Sequence, residues 1–418
     1  MAAFRLTGGD RSLRRHGRTG AGLAVVLFVL SGCSVVANPR PAVVHDPSLA
    51  PGGPVGYVVC TDAVTPVELD TRTAEADIPL GLTGTPALGN FAVATSADGR
   101  WAYVVTSNGV VSTSATSPTG SAPPPTGATT STVAGAPVQP AGVGVQNVVV
   151  PIDLVSQEAR RPIKIPGQGG THAIVVLPGG RTVLAASGST IVPVDAATRR
   201  VGAPLDLGPG HTIFGMALDP KGTTLYALVA GGVFPVTIAN GTAGAEIPTG
   251  LSASSVYSPH GIAVTGDGAT VYVVGQAGVG QGGVDFGGRV LPIVASTRAT
   301  LPKAGFDRYG IADPAALAIT ADGSSLLVVD SANNWVNPVP LSTFSAPPAP
   351  VPLPQPSGSA STSGTQHPTD IVLGPGSSGA FIVVGFNTVR PYQPGSQTFG
   401  RPIPVCSGAA SMAVAPAP

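Results

Sequence analysis

Charge is scarce in this 418-residue chain. Asp, Glu, Lys and Arg make up 10% of it, and 21 acidic side chains balance 21 basic ones. Gripping a phosphate backbone takes a cluster of Lys and Arg, and the body of the chain has none, so nucleic acid is excluded as a partner. Aromatic residues are equally thin at 5%, and helix formers are sparse. Nucleophile elbows, paired zinc-binding cysteines and phosphate-binding loops are absent. The glycine-rich stretch 278–283 lies between two predicted strands rather than between a strand and a helix, which argues against a nucleotide. No cofactor is expected. What fills the chain instead is 57 Gly and 44 Pro, set among short runs of Val, Thr and Ala. That is the composition of many short strands joined by turns.

The first residues carry a different pattern. Arg5, Arg11, Arg14, Arg15 and Arg18 precede an apolar run, 22–30, that is too short to span a bilayer. The run ends in Leu30-Ser31-Gly32-Cys33, which resembles the lipobox of bacterial lipoproteins. The resemblance implies a signal peptide over 1–32, cleavage before Cys33, and lipidation of the Cys33 thiol with palmitate-type chains. It implies a protein anchored to the cell membrane on its extracytoplasmic side. The plainer reading is an ordinary secretory signal or an uncleaved anchor. Arg14-Arg15 lacks the hydrophobic pair of a twin-arginine signal. Loss of 1–32 leaves 16 basic and 20 acidic residues, a net charge of −4. Residues 33–54, rich in Pro, Ala and Gly without periodicity, read as a flexible tether.

The remaining sequence is organised around the pattern of 258–274, in which two β-branched runs flank Gly266-Asp267-Gly268. Similar turns fall at 97–100, 178–181, 219–222, 321–323 and 374–376. Each is flanked by apolar runs, and a third and a weaker fourth run follow. Four strands per unit of some forty residues is the signature of a propeller blade. Six complete units start near Phe91, His172, Phe214, His260, Ala315 and Thr369. Three strands without a first one remain over 55–80, and a first strand without successors over 411–414. Together they predict a seventh blade, and hence an all-β fold: a seven-bladed β-propeller of four-stranded blades, closed by the C-terminal strand pairing with the N-terminal three. An open array would expose a sheet edge, which proteins avoid.

Pro259-His260-Gly261-Ile262-Ala263-Val264-Thr265, with Asp267-Gly268 and Tyr272-Val273-Val274, resembles the repeat of YVTN-type seven-bladed β-propellers over 55–418. No unit has the full Tyr-Val-Thr-Asn ending; Tyr103-Val104-Val105-Thr106 comes nearest. The family includes surface-associated proteins, lactonase-like enzymes and quinoprotein-type domains, so the resemblance bears on fold more than on activity.

In such a fold the tight glycine turns share one face and the long excursions the other. The long ones are 108–146 and 275–288 within blades, and 301–314 and 342–368 between blades. A protein or small-molecule ligand is expected on that long-loop face. Asp285, Asp307, Arg308 and Asp313 give it charge. The Ser/Thr/Pro/Gly tracts 108–146 and 345–364 read as low-complexity insertions, either expanded loops or glycosylated and partner-binding segments. Cys60 and Cys406 both fall on the long-loop face of the closing blade, where a disulfide would staple the ring; two buried free thiols are the alternative. His172, His211, His260 and His367 each lie where the chain enters an innermost strand. They are candidate channel-mouth ligands or acid–base groups, or simply partners of blade-to-blade loops. The expected function is a binding or scaffold module rather than an enzyme. The alternative is a lactonase-like hydrolase or metal-dependent enzyme using His172 and His260.

Overall fold

A computed structural model describes residues 53–82, 91–109, 145–167, 169–170, 172–252, 261–277, 287–301, 311–342, 349–354, 367–376, 379–385 and 387–415. The signal segment with Cys33, the tether up to residue 52, and His260 lie outside the described residues. Among those described there is no helix, and the strands form seven small antiparallel sheets set around an axis as a seven-bladed propeller. Blades 1 to 6 span 91–164, 174–206, 213–248, 251–300, 314–352 and 368–404, blade 4 including the short strand Leu251–Ser252 paired to Gln276 and Ala277. Blade 7 joins 411–415 to 55–79.

Every third strand carries a proline at one position: Pro66, Pro151, Pro193, Pro235, Pro292, Pro338 and Pro391. Opposite these, in the second strands, stand Tyr57, Tyr103, Leu184, Tyr226, Tyr272, Leu327 and Phe381. The proline carbonyl accepts a hydrogen bond from the outer segment, for example from Glu75 N–H at 2.8 Å, Arg160 N–H at 2.7 Å and Gly244 N–H at 2.7 Å. A strand residue directs its N–H and C=O to the same neighbour, so the N–H that proline lacks would have faced the outer strand. The outer strand breaks there. In blades 1, 2, 3, 6 and 7 it is two short pieces, such as Glu158–Ala159 and Ile163–Lys164, both paired to the third strand. Towards the second strand the same proline sits in a pair without mutual hydrogen bonds, which brings its ring close to the large side chain opposite.

The turn from third to outer strand holds one residue in the left-handed region: Arg72 (φ 58°), Gln157 (52°), Arg199 (59°), Gly241 (63°), Arg298 (52°) and Gln397 (54°). Four of these side chains reach the broken strand of the preceding blade. Gln157 Nε2 donates to Glu75 Oε2 at 2.7 Å, and Arg199 Nη2 donates to the Arg161 and Pro162 carbonyls. The guanidinium groups of Arg72 and Arg298 lie over Gly400 and Gly244, where a Cβ would come within 3.1 and 2.9 Å of Nη1. The breaks are therefore gaps that the next blade fills.

The core is correspondingly divided into seven slabs, one per seam between blades. Val104, Val150 and Phe91 pack on Tyr57 and Val59 across the seam of blades 7 and 1, and Phe381 and Val383 pack on Val58 and Val67 across that of blades 6 and 7. The other five seams are filled the same way. Closure follows the expected route: Ser411–Ala415 pairs with Val55–Val59, from Val59↔Ser411 to Val55↔Ala415.

Two expectations change. The stretch 345–364, read as one insertion between blades, contains Val351–Pro352, which pairs with Trp335 and Val336 as the outer strand of blade 5. Residues 343–348, between the third and outer strands in sequence, lie outside the described residues. A strand of two residues between prolines and serines has no periodicity to betray it. The ends of 108–146 and of 275–288 belong to the ladder too, since Asn108 pairs with Gln146, Gly109 with Val145, Gly275 with Arg289 and Gln276 with Gly288; residues 110–144 and 278–286 lie outside the described set.

Candidate functional site

On the long-loop face the second strands end, and their last residues meet the neighbouring blade. At the seam of blades 1 and 2, Asn147 is buried. Its Oδ1 accepts from Ser107 Oγ at 2.8 Å, and its Nδ2 donates to Ser187 Oγ at 2.7 Å and to the Gly169 carbonyl at 3.0 Å. At the seam of blades 6 and 7, Cys60 and Cys406 form a disulfide with Cα atoms 5.9 Å apart, and Cys406 N–H donates to Thr65 Oγ1 at 3.0 Å. At the seam of blades 4 and 5, Gln276 Nε2 donates to Asp313 Oδ1 at 3.1 Å.

Blade 5 has the densest arrangement. Asp330 is wholly buried, and five N–H donors answer its charge: the backbone of Ala312 (2.9 Å), Asp313 (3.1 Å), Ala332 (3.1 Å) and Asn333 (3.2 Å), and Asn333 Nδ2 (2.8 Å). Ser331, next along, donates from Oγ to the Pro368 carbonyl of blade 6 at 2.7 Å. A polar collar thus ties blade to blade at four seams of this face, and buried hydrogen bonds of this kind fix relative position.

The histidines are placed locally. His172 lies with its ring 5.8 Å from that of Phe214 in blade 3. His211 bonds the Leu207 carbonyl through Nδ1 at 2.9 Å, meets Phe234 edge-on at 5.1 Å, and brings Nε2 to 3.8 Å from Glu246. His367 bonds the Ser331 carbonyl through Nδ1 at 2.8 Å. They belong to blades 2, 3 and 6. Among the described residues no group of three or more His, Cys, Asp or Glu is arranged to hold a metal ion.

Small residues recur on the innermost strands because those strands crowd the axis. A Cβ on Gly261 would meet Leu317 N at 2.7 Å and Ala316 Cα at 3.0 Å in the next blade. Blade 6 has Asp370 where blade 4 has Gly261, and its Oδ2 accepts the N–H of Met412 in blade 7 at 2.9 Å. Burial pushes the Asp370 carboxyl up, against the opposing pull of the Met412 N–H, the Ser411 hydroxyl and the Ile371 N–H. It is the one charged side chain on the described innermost strands.

No family model and no curated protein matches the chain. Solved structures do. Hydrazine synthase of Kuenenia stuttgartiensis superposes with a TM-score of 0.56 at 15% identity, covering 86% of this chain and 94% of that one. A functionally unknown protein from Desulfotomaculum acetoxidans DSM 771 gives 0.56 at 14%, covering 87% and 99%. The β-propeller domain of Cps50 (Swd1) from Myceliophteria thermophila gives 0.50 at 13%, covering 78% and 90%. At such identities the likeness carries the fold alone.

Proposed function

We propose that this protein is a lipid-anchored, extracytoplasmic propeller of YVTN type that binds a partner through its long-loop face. The reading is supported by the propeller fold, which suits a binding or scaffold module, and by one asymmetry. The opposite face is built largely from tight turns, while the polar collar is at this one. The basic segment, the short apolar run and Cys33 support the anchor.

Two measurements test it. Labelling with a palmitate analogue should mark the wild-type protein and leave C33A unlabelled, with C33A released from the membrane fraction. A photo-crosslinker at Asn387, exposed on the long-loop face, should capture a partner on native membranes, whereas one at Asp267, exposed in a tight turn, should not. Equal capture from both sites would sink the face assignment. Lactone hydrolysis lost in H172A and H260A would replace the binding reading with the enzymatic one.

A further inference from the structure

Among the described residues five buried side-chain polar atoms have no hydrogen-bond partner, and four belong to blades 5 and 6: Asn334 Oδ1, Thr369 Oγ1, Arg390 Nε and Tyr392 Oη. The fifth is Thr106 Oγ1. Unsatisfied buried polar atoms are rare and costly, and the donors among these, Arg390 Nε first, call for an acceptor.

Three of the four are held at the long-loop end of that seam. The Asn334 carbonyl accepts Leu353 N–H at 2.9 Å, and the next residue, Pro354, offers its carbonyl to Arg390 Nη2 at 3.1 Å. Thr369 follows Pro368, which takes the Ser331 hydroxyl of the turn that also contains Asn334. Tyr392 lies two residues beyond Arg390 on the same face of the strand, deeper in the seam.

Arg390 decides the chemistry. It is only 8% exposed and keeps its charge, yet its described hydrogen bond goes to a neutral carbonyl. Burial lowers its pKa. The residues just before the proline in the other third strands are Thr65, Val150, Val192, Phe234, Leu291 and Asn337. All are uncharged, so building a blade does not require a cation there.

We infer that the seam between blades 5 and 6 binds a small monocarboxylate, held by Arg390 Nε with the Thr369 hydroxyl as a second donor. A planar carboxylate matches the guanidinium edge, and its single charge matches the single cation; a phosphate dianion would retain an unbalanced charge in a buried place. The site does not depend on the membrane anchor or on the partner surface proposed above.

Calorimetric titration of the full chain with sodium acetate, against sodium chloride at equal ionic strength, tests this directly. The expected result is a saturable acetate isotherm in the wild type, weakened about tenfold or more in R390M. T369V should weaken it less, and phosphate should behave as chloride does. Should R390M fail to fold, T369V and R390K are judged by the same weakening. An acetate isotherm unchanged by these substitutions, or none in the wild type, overturns the site; tighter binding of phosphate overturns the ligand class.

Discussion

Asp98, Asp267 and Asp322 occupy one place in three of the tight turns, and the same kind of donors hold each below the usual carboxylate range. The hydroxyls of Ser96, Thr265 and Thr320 contribute most, followed by the backbone N–H groups of Arg100, Ala269 and Ser324; Asp322 is lowered to about 2. Their stabilising effect is complete above the unfolded-state pKa, about 3.9, and is lost as pH falls through the lower folded-state values. The melting temperature should therefore drop between about pH 4 and pH 2, with a shallower slope in D322N, followed by thermal denaturation in graded buffers. Asp370 has the opposite sign. Its raised pKa means that the folded state holds the proton more tightly, so ionisation costs stability as pH rises from the unfolded-state value through the folded one. D370N keeps an acceptor for Met412 N–H and should melt above the wild type at pH 7, with no advantage near about pH 3.

At the scale of strands, period-two apolar runs and glycine turns made the first three strands of each blade legible, because each such strand buries side chains in its own seam. The outer strand was half legible. The apolar Ile163 and Ile247 of its second piece stand out, whereas first pieces such as Glu158–Ala159 and Thr242–Ala243 are solvated and carry no pattern. A signal was present all the same: the proline repeated in seven third strands foretells where the outer ladder must break. Crowding at the axis gives this scale its test. G261V forces a branched side chain against the backbone of Leu317 and Ala316, and should cost about 1–3 kcal/mol or more by urea denaturation, with the denaturant slope unchanged.

For the whole molecule, the blade count, the closure and the meeting of Cys60 with Cys406 followed from bookkeeping of strands along the chain. The collar did not. Asn147, Gln276 and Asp330 look like ordinary loop residues until neighbouring blades bring Ser187, Asp313 and the Ala312 backbone to them, and no spacing in one chain segment encodes that meeting. Arg390 could have been suspected, as a charge where the other six units have none. The disulfide closes a loop of 346 residues across the closing sheet. Replacing both cysteines with alanine should lower stability by about 2–5 kcal/mol, read as a lower melting temperature that reductant no longer changes.

Val55 and Ala415 face each other across one ladder, at the spot where each other blade has its tight glycine turn. The ring is thus one such turn short of being endless, and where the polypeptide is opened becomes a matter of choice. A circular permutant that bridges 415 to 55 with a short Asp-Gly loop, and is opened between Asp267 and Gly268, should give the same circular dichroism and a single melting transition. A permutant that stays unfolded would mean that assembly has to start from one particular blade.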